Sequence, residues 1–127
     1  SGFNPDFMTK PSADAKNIGI PLVSSFELLQ NGGQYENCQR LGSYQFPSLS
    51  NEISFLIRAD VNLEFKGAEV EQGAIIICGK AQQRFNNDFG RVTIIGSKLL
   101  WDVENKLVDT MSFPVYGVIS ESFKRTI

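Results

Sequence analysis

The chain has 127 residues, 42% hydrophobic and 20% charged, with a formal net charge of −2. That length is one domain able to bury roughly two-thirds of its extended surface. The charge is too mild for an acidic tail, and it argues against a phosphate-binding surface unless the basic residues are segregated on one face.

The chain contains no histidine. This excludes Ser–His–Asp and Cys–His catalysis, histidine-ligated zinc and a histidine pH switch. Ten Phe, three Tyr and one Trp beside only two Met suit a sheet better than a helical bundle. No apolar run approaches the roughly 18 residues of a transmembrane helix, so no such segment is expected. A first residue Ser1 rather than Met is expected of a processed or excised chain.

Residues 1–19 are expected to form an irregular N-terminal arm. Pro5, Pro11, Gly2 and Gly19 interrupt any regular element, yet Phe3, Phe7 and Met8 are apolar. Such an arm either packs over its own core or docks on a neighbouring subunit. Residues 20–127 form the β-domain. Ile20–Leu29 reads either as a strand after Pro21 or as a short helix, since Ser24-x-x-Glu27 fits a capping box. Asn31-Gly32-Gly33 is a turn that closes whichever element precedes it. Gln34–Ser50 reads as a long loop or one short edge strand, because Pro47 cannot donate to a central ladder.

From Glu52 the pattern sharpens. Ile53, Phe55 and Ile57 alternate with Ser54, Leu56 and Arg58, and Val61, Leu63 and Phe65 alternate with Asn62, Glu64 and Lys66. Ala59-Asp60 reads as a bulge or a bend, and Lys66-Gly67 as a turn. The chain is organised around Gly73-Ala-Ile-Ile-Ile-Cys-Gly79, an apolar stretch between two glycines. It is too short for a globular helix and reads as a strand buried on both faces. Gly79–Gly90 is a polar loop carrying Phe85 and Phe89. Arg91–Ile95 is a strand. Gly96 permits a bend or bulge, and Leu99, Trp101 and Val103 then alternate with Lys98, Leu100 and Asp102. Glu104-Asn105 sits where a hairpin loop would, and Phe113–Ile119 is the last strand. These elements predict an all-β, single-domain fold of about seven or eight short strands, a β-sandwich or small β-barrel.

Chemistry-bearing motifs are sparse. Gly73–Lys80 superficially matches a phosphate-binding loop. It has the wrong glycine spacing, Ala81 where Ser or Thr belongs, and strand-forming residues between the glycines. Glu69 with Glu71, and Asp102 with Glu104, are paired carboxylates of the kind that cut glycosides, but such pairs more often solvate a strand face. Asn86-Asn87-Asp88 lacks the bidentate Glu of a calcium loop. No cofactor and no metal site is expected. Trp101 shares a face with Leu99 and Val103 and reads as core. Phe85 and Phe89, flanked by Arg84, Asn86 and Asn87, are the candidate contact residues, although loop aromatics often tuck back onto a core. Cys38 and Cys78 either form one disulfide or are buried thiols.

Four apolar strand segments, Phe55-Leu56-Ile57-Arg58, Ile75-Ile76-Ile77-Cys78-Gly79, Gly90-Arg91-Val92-Thr93-Ile94 and Val115-Tyr116-Gly117-Val118, carry a resemblance. The span from Phe55 to Ser120 resembles the β-barrel domain of the channel-forming core proteins of conjugative type IV secretion systems. The glycine- and proline-bearing signatures at the start of that family's barrel are absent before Asn51. The resemblance implies an envelope assembly component.

The expected function is a non-enzymatic interaction domain of a larger assembly, of the envelope, secretion, pilus or virion kind. Its partners would be other protein subunits, including copies of itself, rather than nucleic acid. An extracytoplasmic setting goes with that reading. The alternative is a module that binds carbohydrate, peptide or single-stranded nucleic acid through the 79–90 loop.

Overall fold

Ile20-Pro21-Leu22-Val23 is apolar and partly β-branched, and it extends as strand β1 (Ile20–Ser24). Ser24 then caps a six-residue helix, α1 (Ser25–Gln30), its hydroxyl accepting the Glu27 N–H at 3.3 Å. Strand and helix thus each hold for half of residues 20–29. The capping box is not completed, because the Glu27 carboxylate accepts the Gln39 N–H instead. The structure, a computed structural model, describes residues 19–45, 52–65, 68–81, 83, 89–102 and 111–119.

Asn31-Gly32-Gly33 ends the helix. Gly32 and Gly33 have φ of +62° and +87°, and the Gly33 N–H donates to Leu28 O at 2.8 Å. A Cβ on Gly33 would lie 3.1–3.3 Å from Met111 Sδ, Ile94 Cδ1 and Phe113 Cζ. Gly33→Ala therefore combines a left-handed backbone with crowding. It is expected to cost about 1–3 kcal/mol, read as a lower thermal midpoint; an unchanged midpoint would contradict the packing described.

Residues 34–45, the described part of Gln34–Ser50, carry a 3-10 turn (Tyr35–Asn37) and a short strand β2 (Gly42–Tyr44) at one end of the sheet. Of the two readings of that stretch, the short edge strand holds for the described part, while Pro47 lies outside the described residues. The remaining strands are β3 (Phe55–Arg58), β4 (Leu63–Phe65), β5 (Ala68–Val70), β6 (Ile75–Cys78), β7 (Arg91–Ile95), β8 (Lys98–Asp102) and β9 (Ser112–Ile119). The fold is all-β. A seven-stranded mixed sheet has the order β2-β1-β3-β6-β9-β7-β8, and β4 and β5 form a separate hairpin. Among the described strands β1 and β3 are parallel neighbours, and the other ladders are antiparallel.

β6 lies fourth of the seven strands. Ile76 and Cys78 face the main core with Phe55 and Ile57 of β3, while Ile75 and Ile77 face a second cluster with Leu56, Leu22 and Ile20. The stretch between Gly73 and Gly79 is therefore buried on both sides, as its unbroken apolar run requires. In β9 the register slips, because Cys78 pairs with Val115 whereas Ile77 pairs with Gly117. Tyr116 is the extra residue, and this bulge lets both Val115 and Val118 reach the main core.

Three local expectations are corrected. Val61 belongs to no strand and is exposed; β4 begins only at Leu63, because the chain bends at Asp60–Val61. Gly96 opens a two-residue turn, with φ +61°, joining β7 to β8 with Ile95 opposite Lys98. The Cys38–Cys78 disulfide is not formed, and both are free thiols. Cys38 stands beside the 3-10 turn with Asn31 Nδ2 at 3.7 Å from its sulfur. Cys78 is fully buried in β6, where desolvation pushes its thiol far above the ordinary range against the opposing pull of Arg91. The expected hairpin at Glu104-Asn105 and the turn at Lys66-Gly67 lie outside the described residues, as does the arm with Phe3, Phe7 and Met8.

Candidate interaction cleft

The junction of β1 and α1 is fastened by one carboxylate. Asp60 Oδ2 accepts from the Ser24 hydroxyl, from Ser25 Oγ at 3.2 Å and from the Phe26 N–H at 3.0 Å. The Asp60 N–H donates back to Ser25 Oγ at 2.9 Å. On its other oxygen Asp60 receives Arg58 Nε at 3.3 Å and Nη2 at 3.1 Å. Burial alone would raise this carboxyl, but the Phe26 N–H, the Ser24 hydroxyl and Arg58 outweigh it and hold it below the ordinary range. Both serine hydroxyls are committed to helix capping and to Asp60, and a carboxylate with a lowered pKa is a weak base. The grouping is suited to holding the helix start, not to activating a nucleophile.

A group with a depressed folded pKa contributes stability that is complete above its unfolded pKa and is lost as the pH falls through the lower folded value. Asp60→Asn should therefore flatten the acid limb of the stability curve below the ordinary aspartate range. At neutral pH it should cost about 1–3 kcal/mol through weakened and mismatched hydrogen bonds. Denaturant titrations at neutral and acid pH check this; parallel curves for wild type and variant would contradict it.

The fastened helix forms one wall of a cleft of about 330 Å³. Ser25, Phe26 and Leu29 of α1 face Val61-Asn62-Leu63 and the β7–β8 turn with the start of β8, Ser97 to Leu100. Leu63 and Leu99 are buried at its base, whereas Phe26 and Val61 are 53% and 44% exposed. Asn62 Oδ1 accepts the Gln72 N–H at 2.8 Å, which pins the 61–63 wall to the turn before β6. Among the described residues lining the cleft, Lys98 is the only charged one.

The residues singled out from sequence lie elsewhere. Phe89 is half-buried against the main core; its N–H donates to Val115 O at 2.8 Å, and its carbonyl accepts Trp101 Nε1 at 3.0 Å. Arg84, Phe85, Asn86 and Asn87 lie outside the described residues. Trp101 is buried in the core. Of the acidic pairs, Glu71 is exposed while Asp102 is fully buried and does not solvate a strand face. Among the described residues no cluster of His, Cys, Asp or Glu is suited to a metal ion, and no helix is long and apolar enough to cross a membrane.

Sequence reasoning missed Phe26, Val61 and the Asp60 fastening. One signal was available. With Ser25 and Leu28 on the buried face of α1, Phe26 falls off that face, so a bulky apolar residue had to point outward. No long-range signal linked Asp60 to Ser24 and Ser25.

No family model, curated protein or solved structure matches the chain.

Proposed function

We propose that the chain is a non-enzymatic β-domain of a larger protein assembly, and that it receives an extended apolar segment of a neighbouring subunit in the cleft between α1, residues 61–63 and β8. One observation carries the reading: Phe26 and Val61, two of the four exposed large apolar residues among the described residues, flank the same leucine-lined cleft. Exposed apolar surface gathered round a concavity marks an interaction site more often than scattered exposure does. The Asp60 network supports the reading, because it fixes the α1 wall before any partner arrives. An envelope, secretion, pilus or virion assembly is the setting that suits such a domain.

A peptide array tests this. Short peptides bearing paired bulky apolar residues are probed with the full chain and with Val61→Glu, a change at an exposed bend that the core does not feel. Binding to a subset of apolar peptides should fall at least tenfold in the variant. An array on which the two proteins bind alike, or not at all, would overturn the proposal.

A further inference from the structure

We infer that the occupant of the cleft is the segment Phe3–Met8 of a second copy of this chain, so that copies join head to tail. The inference rests on the reading of the cleft as a subunit interface and names the partner. Three observations carry it. The first is chemical. Phe3-Asn-Pro-Asp-Phe-Met8 offers bulky apolar anchors around Asp6, and the cleft offers leucine walls with Lys98 as the charged residue among its described lining. An apolar peptide with one carboxylate matches an apolar cleft with one ammonium.

The second observation is reach. From Met8 to Gly19 the chain can extend roughly 35–40 Å, enough to cross to a neighbouring molecule. The third is placement. Gly19 adjoins β2, since a Cβ built there would sit 2.8 Å from Ser43 Cβ. The segment also departs from the start of β1, whereas the cleft opens at the end of β1 where Ser25 begins α1. Donor and acceptor thus lie at opposite ends of β1, and Pro5 and Pro11 favour an extended path over doubling back. Two different surfaces that join copies make a heterologous contact, which closes into a ring or runs on as a filament.

A complementation experiment with full-length chains decides it. One variant keeps the cleft and loses the anchors (Phe3→Ala, Phe7→Ala, Met8→Ala). The other keeps the anchors and loses the cleft (Val61→Glu, with Phe26→Ser as an independent second version). Circular dichroism and thermal melts confirm that each is folded. By sedimentation, wild type should grow in mass with concentration, each variant alone should remain a single chain, and the equimolar mixture should reach twice that mass. A wild type that remains a single chain at every concentration overturns the inference. So do variants that associate like wild type, and so does a mixture that never exceeds one chain, the result expected if the segment covers its own cleft. If the peptide array is positive in any of these cases, the cleft still serves a foreign subunit; if it too is negative, the proposed function falls as well.

Discussion

Arg91→Met should lower the thermal midpoint by about 10–20 °C. Arg91 is fully buried. Its Nε donates to Ser112 Oγ at 2.8 Å, Nη2 to Ser112 O at 3.1 Å and Nη1 to Gln83 O at 3.1 Å. Directly across the β7–β8 ladder stands Asp102, also fully buried. Thr93 and Ser112, paired across the β7–β9 ladder, are buried on the same face. Methionine keeps most of the volume but removes the cation. The acceptors lose charged donors, and Asp102 loses its opposite-charge neighbour in a region closed to water. Removing one member of such a buried polar arrangement costs about 3–5 kcal/mol, because the groups it held lose a charged partner away from water. Arg58→Met is the control. Arg58 also meets a carboxylate, Asp60, at 3.1 Å, but its side chain is 45% exposed, and exposed pairs contribute about 0.2–1 kcal/mol. If the two variants melt alike, the buried polar face of β7, β8 and β9 is not the anchor described.

Phe55→Ala should cost about 3–5 kcal/mol. Phe55 is fully buried in β3, between the parallel ladder to β1 and the antiparallel ladder to β6. Its ring stacks on Tyr35 at 4.3 Å with a 4° interplanar angle, and it meets Phe113 edge-on at 5.0 Å. It therefore couples three parts of the chain that are distant in sequence: the 3-10 turn, β3 and β9. Deleting the ring opens a cavity and breaks both aromatic contacts, each worth about 0.5–1.5 kcal/mol beyond area. Tyr35→Ala should cost clearly less, since Tyr35 is only half-buried. Denaturant midpoints rank the two; a Phe55→Ala loss no greater than that of Tyr35→Ala would place the centre of the core elsewhere.

These two residues show what the sequence discloses and what it hides. Strands β3, β6, β7, β8 and β9 were legible because apolar residues recur with period two or in short unbroken runs bounded by glycine. Ile75–Cys78 in particular permitted only a central position. Alternation identifies two faces of a strand, but not whether the second face is covered. Asp102 reads as one of a carboxylate pair solvating a strand face and proves to be buried beside Arg91, Thr93 and Ser112. Helix α1 was ambiguous because six residues are too few for a periodicity to declare itself, and only the cap at Ser24 marked it. The cleft was hidden for a different reason. Its walls come from residues 25–29, 61–63 and 97–100, and no local pattern joins segments so far apart. Phe89, which looked available in a polar loop, is drawn inward by its backbone bonds to Val115 and Trp101.

The measurement that bears most directly on the cleft as the meeting place of subunits is amide hydrogen exchange on the full-length chain, in dilute and in concentrated solution. Protection should rise with concentration at residues 61–63 and 97–100, while the amides of Ile75–Cys78 stay equally slow in both. Exchange at the cleft that ignores concentration, with new protection arising on another surface, would contradict the account.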